Sequence, residues 1–146
     1  MEAKVKDPLR SLKRLTVLNL VLLSVRAWTG DVVNLFAAFP SGAVTGFSGF
    51  FAALQGAGPG PLAIWHGVQG MVVIVLAILI AGLCSRSKAR SVRIVGLLGL
   101  FFTLVAALGG YTFVFSSFLN NGNSAQVGGS FLGAYAMYFL VLYYTK

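Results

Sequence analysis

Acid is almost absent from this chain. Its three acidic residues, Glu2, Asp7 and Asp31, face 11 lysines and arginines, and only Asp31 lies beyond the N-terminal lead. Acid–base chemistry by paired carboxylates therefore has no pair to use in the body of the chain. Histidine and cysteine occur once each, as His66 and Cys84. A zinc centre takes three or four protein ligands, so one chain does not supply a metal site. A lone cysteine closes no internal disulfide, and Cys84 reads as a small apolar filler. No serine stands in a nucleophile elbow, and no Gly-rich loop cradles phosphate. No catalytic residue is assigned.

What is abundant is apolar surface. The sequence is 58% hydrophobic and 10% charged, with a mean hydropathy of +0.87. Soluble domains hold about 45–50% apolar and about 25% charged residues. Residues 62–84 contain neither acid nor base. As a helix they extend roughly 34 Å, enough for a ~30 Å hydrocarbon core. Comparable stretches at about 12–39, 92–118 and 126–144 give four spans within one domain. The expected fold is all-α, an integral membrane four-helix antiparallel bundle.

The net charge of +8 would suggest nucleic acid in a soluble chain, but its distribution points elsewhere. Lys4, Lys6, Arg10, Lys13 and Arg14 precede the first span, Arg86, Lys88, Arg90 and Arg93 separate the second from the third, and Lys146 ends the chain. Bases near span ends stay cytoplasmic, so both termini are expected on the cytoplasmic side of the plasma membrane. The partners implied are the lipid bilayer and other membrane helices, with no nucleic acid. Residues 1–25 resemble the start of a signal peptide, yet the apolar run continues past Arg26 to Phe39 without a convincing cleavage site, so an uncleaved first span is expected.

Residues 40–61 form an uncharged connection rich in Gly, Ser and Phe. Phe47, Phe50, Phe51 and Leu54 recur at the spacing of one helical face, which suits a short outer interfacial helix. A loop suits the composition as well, and both remain open. A polar turn is expected at 120–124. Gly96 and Gly99 in the third span and Gly129 and Gly133 in the fourth are candidate helix-packing positions, because small residues let helices approach closely in lipid.

A few polar residues stand where apolar ones are expected. Arg26 lies about 16 Å along the helix from Leu15, near mid-membrane, where a charge turns to protein or water. The alternative is that Arg26 snorkels, with Trp28 at the boundary. Thr16, Asn19, Arg26 and Thr29 share one stripe of the first span. His66 and Gln69 open the second, and Thr103 and Tyr135 sit deep in the third and fourth. Together Asn19, Arg26, Asp31, His66, Gln69, Thr103 and Tyr135 form the candidate polar site. Arg26 is expected to meet the third or fourth span, with Tyr135 as one partner. Asp31 and His66, at similar depth, are expected to pair.

Three functions compete. The first is a helix-packing subunit or accessory protein, as a homo-oligomer or with other membrane subunits, and it requires nothing the chain lacks. The second is an oligomeric transporter or channel for a small solute, anion or proton. The third is haem binding through His66, with Gly70 making room for the porphyrin and Arg26 meeting a propionate, although one chain offers no second axial histidine. No cofactor is otherwise assigned. The first reading is preferred.

Overall fold

The computed structural model describes residues 8–36, 46–56, 60–116 and 121–146. Five helices follow in order: α1 (Pro8–Phe36), α2 (Gly46–Gly56), α3 (Gly60–Ser85), α4 (Arg90–Phe115) and α5 (Asn121–Tyr144). No strand occurs among the described residues. Four of the helices are long and apolar enough to cross a membrane. The protein is an all-α, four-helix membrane bundle with one short additional helix.

Local chemistry marks the ends. Pro8 opens α1, where its fixed φ costs nothing and its missing N–H would lack a helical partner anyway. Gly46, at φ +67°, begins α2 in a left-handed conformation that other residues adopt with strain. The α3–α4 connection is tight: Arg86 and Ser87 donate to the carbonyls of Leu83 and Cys84 at 3.2 and 3.0 Å, and the Ala89 N–H donates to Ser87 Oγ at 3.2 Å. So short a connection forces α3 and α4 antiparallel.

Helix ends depart from the expected spans in two places. α5 begins at Asn121, so residues 121–124 are helical rather than a polar turn. Hydropathy does not register a polar first turn, whose backbone N–H groups need no intrahelical acceptors. α1 begins at Pro8, inside the basic lead. Residues 37–45, 57–59, 117–120 and the lead at 1–7, which include the end of the expected first span and the start of the 40–61 connection, lie outside the described residues.

Around the bundle, α1 touches α3 and α5, α3 touches α4, and α4 touches α5, closing a ring. At the end carrying the chain termini the core is tight. Ile80, Cys84, Tyr138 and Val141 are fully buried there, with Leu12 and Val92 beside them. A smaller apolar cluster of Val33, Ala53, Leu54, Ala63 and Val114 closes the opposite, α2 end. Helix α2 therefore turns Ala53 and Leu54 to the bundle rather than to lipid, and Phe50 stacks on Tyr111 and Phe115 at centroid distances of 6.2 and 6.3 Å.

Glycines set the closeness of α3, α4 and α5. A Cβ on Gly99 would lie 2.8 Å from Tyr138, and one on Gly133 would lie 2.8 Å from Phe102. Each helix of the α4–α5 pair thus lends an aromatic ring to a glycine on the other. Gly96 receives Cys84 of α3 in the same way, at 2.5 Å. Gly129 does not join them: it is exposed, and a Cβ there meets nothing within 4 Å. The Gly129/Gly133 spacing is therefore half used within the chain. On the outside, Val17, Val21, Val75, Ile78, Leu97 and Phe101 are exposed, a surface suited to lipid rather than water.

Candidate functional site

Most hydroxyls in the spans turn inward to their own helix. Thr16, Ser24, Thr103 and Thr145 donate to the carbonyl four residues back, at 2.8–3.0 Å. This satisfies the group in lipid and leaves it structurally neutral. The groups that cross between helices are fewer.

Three of them join α1 to α3. The Arg26 guanidinium donates from Nη1 to the main-chain carbonyl of His66. A side chain on residue 70 would cover that carbonyl, and residue 70 is glycine. A Cβ there would stand 2.5 Å from Nη1 and 2.8 Å from Cζ, so the guanidinium lies directly on the α3 backbone. One turn away, Thr29 Oγ1 and His66 Nδ1 are hydrogen-bonded at 3.0 Å. Thr29 also donates to its own helix, to the Arg26 carbonyl at 3.1 Å. With that proton committed, His66 donates from Nδ1, which in the neutral ring leaves Nε2 as an acceptor. In return, Gln69 Nε2 donates to the Leu22 carbonyl of α1 at 3.1 Å.

The Gly70 contact gives a direct test of this arrangement. Gly70→Ala strikes the far end of a flexible side chain, so the guanidinium, not the helix, should yield. Losing a hydrogen bond from a charged donor costs about 1.5–3 kcal/mol. Alanine also gains about 1 kcal/mol of helix propensity over glycine, so insertion should be unchanged and the net loss in mixed micelles should be about 0.5–2 kcal/mol; a stability raised by the full ~1 kcal/mol would mean that Arg26 does not rest on α3.

The hydrogen bond of Arg26 accordingly goes to α3, the second span, whereas a partner on the third or fourth was expected; across the cavity Arg26 shares its walls with both. Tyr135 does not reach it, for its hydroxyl bonds Ser24 at 3.1 Å. Asp31 does not bond His66. It is exposed, and no ion pair forms among the described residues. Rotation explains the difference. Thr29 follows Arg26 by three residues and shares its face, whereas Asp31 follows by five and is turned about 140° away.

Deeper in the bundle, Thr103 and Tyr138 are hydrogen-bonded between α4 and α5 at 3.0 Å. Asn19 of α1 is fully buried beside the Tyr138 hydroxyl, yet neither of its amide atoms attains a hydrogen bond of ordinary geometry. Gln69 Oε1 is likewise without a partner. Tyr138, which the sequence reading missed, is the residue that ties this layer together. Its signal was weak: an apolar spacing of Ala134, Tyr138 and Val141 indistinguishable from ordinary core.

Between this layer and α2 lies a cavity of about 810 Å³. Arg26, Asp31, His66 and Thr103 are on its wall, whereas Asn19, Gln69 and Tyr135 are not. The rest of the wall is mostly apolar, with small residues facing the space from two sides, Gly30, Gly67 and Gly70 on one and Ala106, Ala107 and Gly110 on the other. Leu108, Tyr111 and Leu132 at its margin are exposed, so the cavity reaches the lipid-facing surface. Among the described residues no group of three or more His, Cys, Asp or Glu is arranged to hold a metal ion. No protein-family model, curated protein or solved structure matches the chain.

Proposed function

We propose that the protein is a non-catalytic accessory subunit of the plasma membrane that holds a small lipophilic molecule in this cavity. The observation that carries the reading is the cavity itself, an apolar chamber of about 810 Å³ with a guanidinium on its wall. Ligand sites are concave, mostly apolar and marked by a few convergent polar groups, with volumes of about 300–1,000 Å³. An ionisable residue inside a membrane segment is itself a functional pointer. A conducting path through one chain is disfavoured, because Ile80, Cys84, Tyr138 and Val141 are fully buried across the bundle between this cavity and the terminal end. Other membrane helices, or a second copy, would dock on the exposed glycine-bearing face at Gly128 and Gly129. The basic groups beside the terminal end favour cytoplasmic termini. A cysteine placed at Asn123 should then label from outside the cell, and labelling from the cytoplasm alone would reverse the orientation.

Haem binding remains as a second reading on one observation: His66 lies on the cavity wall, donating from Nδ1 to Thr29, which is how ligating histidines are oriented. Native mass spectrometry and a reduced-minus-oxidised visible spectrum of protein from mild detergent separate the two. A bound lipophile without a Soret band is expected. A Soret band would favour haem, and protein that is empty in every preparation would sink the proposal.

A further inference from the structure

Resting on that reading, we infer that the cavity takes an anionic amphiphile, a carboxylate or phosphate against Arg26 with one apolar tail or ring body beyond it. The charge decides the head group. A guanidinium has five N–H donors, and that of Arg26 gives one to the His66 carbonyl. No carboxylate pairs with it among the described residues, even though Asp31 lines the same cavity. A half-buried cation inside a membrane span without a counter-charge is costly, and in a water-poor site an anion can recover that cost through charge-assisted, bidentate hydrogen bonds. Thr29 and His66 are already bonded to each other, so the anion's strongest available donor is Arg26.

Shape decides the body. About 810 Å³ lies toward the upper end of the range for drug-sized ligands, which suits one chain or fused-ring system. Ala106, Ala107 and Gly110 leave a smooth wall along α4, and the exposed Leu108 and Leu132 mark where a ligand already dissolved in the bilayer would enter sideways. Asp31 opposes an anion, but from the exposed rim, five residues or about 7.5 Å of helix rise beyond Arg26. Its repulsion disfavours an anion held at the rim and leaves Arg26 as the seat.

The test uses the full chain in phosphatidylcholine nanodiscs, titrated by native mass spectrometry with oleate, oleoyl-lysophosphatidate and the uncharged analogue oleyl alcohol. At least one anion should bind about tenfold or more tightly than the alcohol, the worth of a charge-assisted hydrogen bond. The tighter of the two anions identifies the head group as carboxylate or phosphate. Arg26→Gln should bring the anions to the level of the alcohol measured on the same variant, and Arg26→Lys should retain part of the difference. Asp31→Asn, on the exposed rim, should tighten the anions about two- to threefold, as a charge about 7.5 Å away in a wet setting predicts. That variant keeps the test decisive should Arg26→Gln fail to insert. Equal binding of all three probes, unaltered by Asp31→Asn, would overturn the anionic assignment and leave the binding function standing. Binding of none of them would remove both.

Discussion

Gly96→Ala should weaken the bundle by about 1–3 kcal/mol, the cost of overpacking a close contact. A Cβ at Gly96 would sit 2.5 Å from Cys84 Cβ and 2.6 Å from its Sγ. Unlike the guanidinium over Gly70, Cys84 cannot swing aside, because its Cβ is fixed by the α3 backbone and the residue is fully buried. Helices α3 and α4 must separate instead, and that shift reaches the packed cluster around Ile80 and Val92. Cys84→Gly in the same chain removes both atoms that obstruct the new methyl. It has its own cost of about 1 kcal/mol for glycine in a helix interior. The double variant should nevertheless lie above the sum of the two single losses, with a coupling of about 0.5–3 kcal/mol typical of residues in contact. Reversible unfolding in mixed micelles gives all four corners of the cycle. Additive losses would mean that Gly96 and Cys84 do not touch.

That contact shows what the sequence could and could not convey. Gly96, Gly99 and Gly133 were legible as packing positions, since small residues within a lipid-soluble helix have few other uses. Their partners were not. Nothing in spacing says that Gly99 receives Tyr138 or that Gly133 receives Phe102 while Gly129 receives nothing. The spans were legible for a similar reason: unbroken apolar length and clustered bases are properties of a segment, readable without its neighbours. Rotation about each helix axis is a property of pairs. Depth alone put Asp31 beside His66, whereas the turn of α1 gave His66 to Thr29. Arg26 misled in another way. The expectation was a side-chain partner, and the partner is a backbone carbonyl laid open by Gly70, an acceptor present at every residue and marked by no residue type. The cavity was invisible too, because it arises from where side chains stop, between a core filled by Tyr138 and a lid supplied by α2.

Asn19→Leu should stabilise the protein, by about 1–3 kcal/mol. Asn19 is fully buried beside the Tyr138 hydroxyl, and neither its amide nitrogen nor its oxygen attains a hydrogen bond of ordinary geometry. A buried polar group left unsatisfied costs about that much, and an apolar side chain of similar size does not. The nearby Tyr138 hydroxyl keeps its bond to Thr103 at 3.0 Å in either case, so the substitution creates no new orphan there. The gain is reduced to the extent that the branched methyls crowd Tyr138. A measured loss of stability would mean that the amide is satisfied in the folded protein and contributes to holding α1 against α5. The stabilised variant also separates structure from function. Asn19 stands off the cavity wall, one layer towards the terminal end, so oleate or lysophosphatidate binding at Arg26 should be unchanged. If binding falls while stability rises, the unsatisfied amide is retained for the ligand site, in keeping with proteins that give up stability where a function needs a polar group.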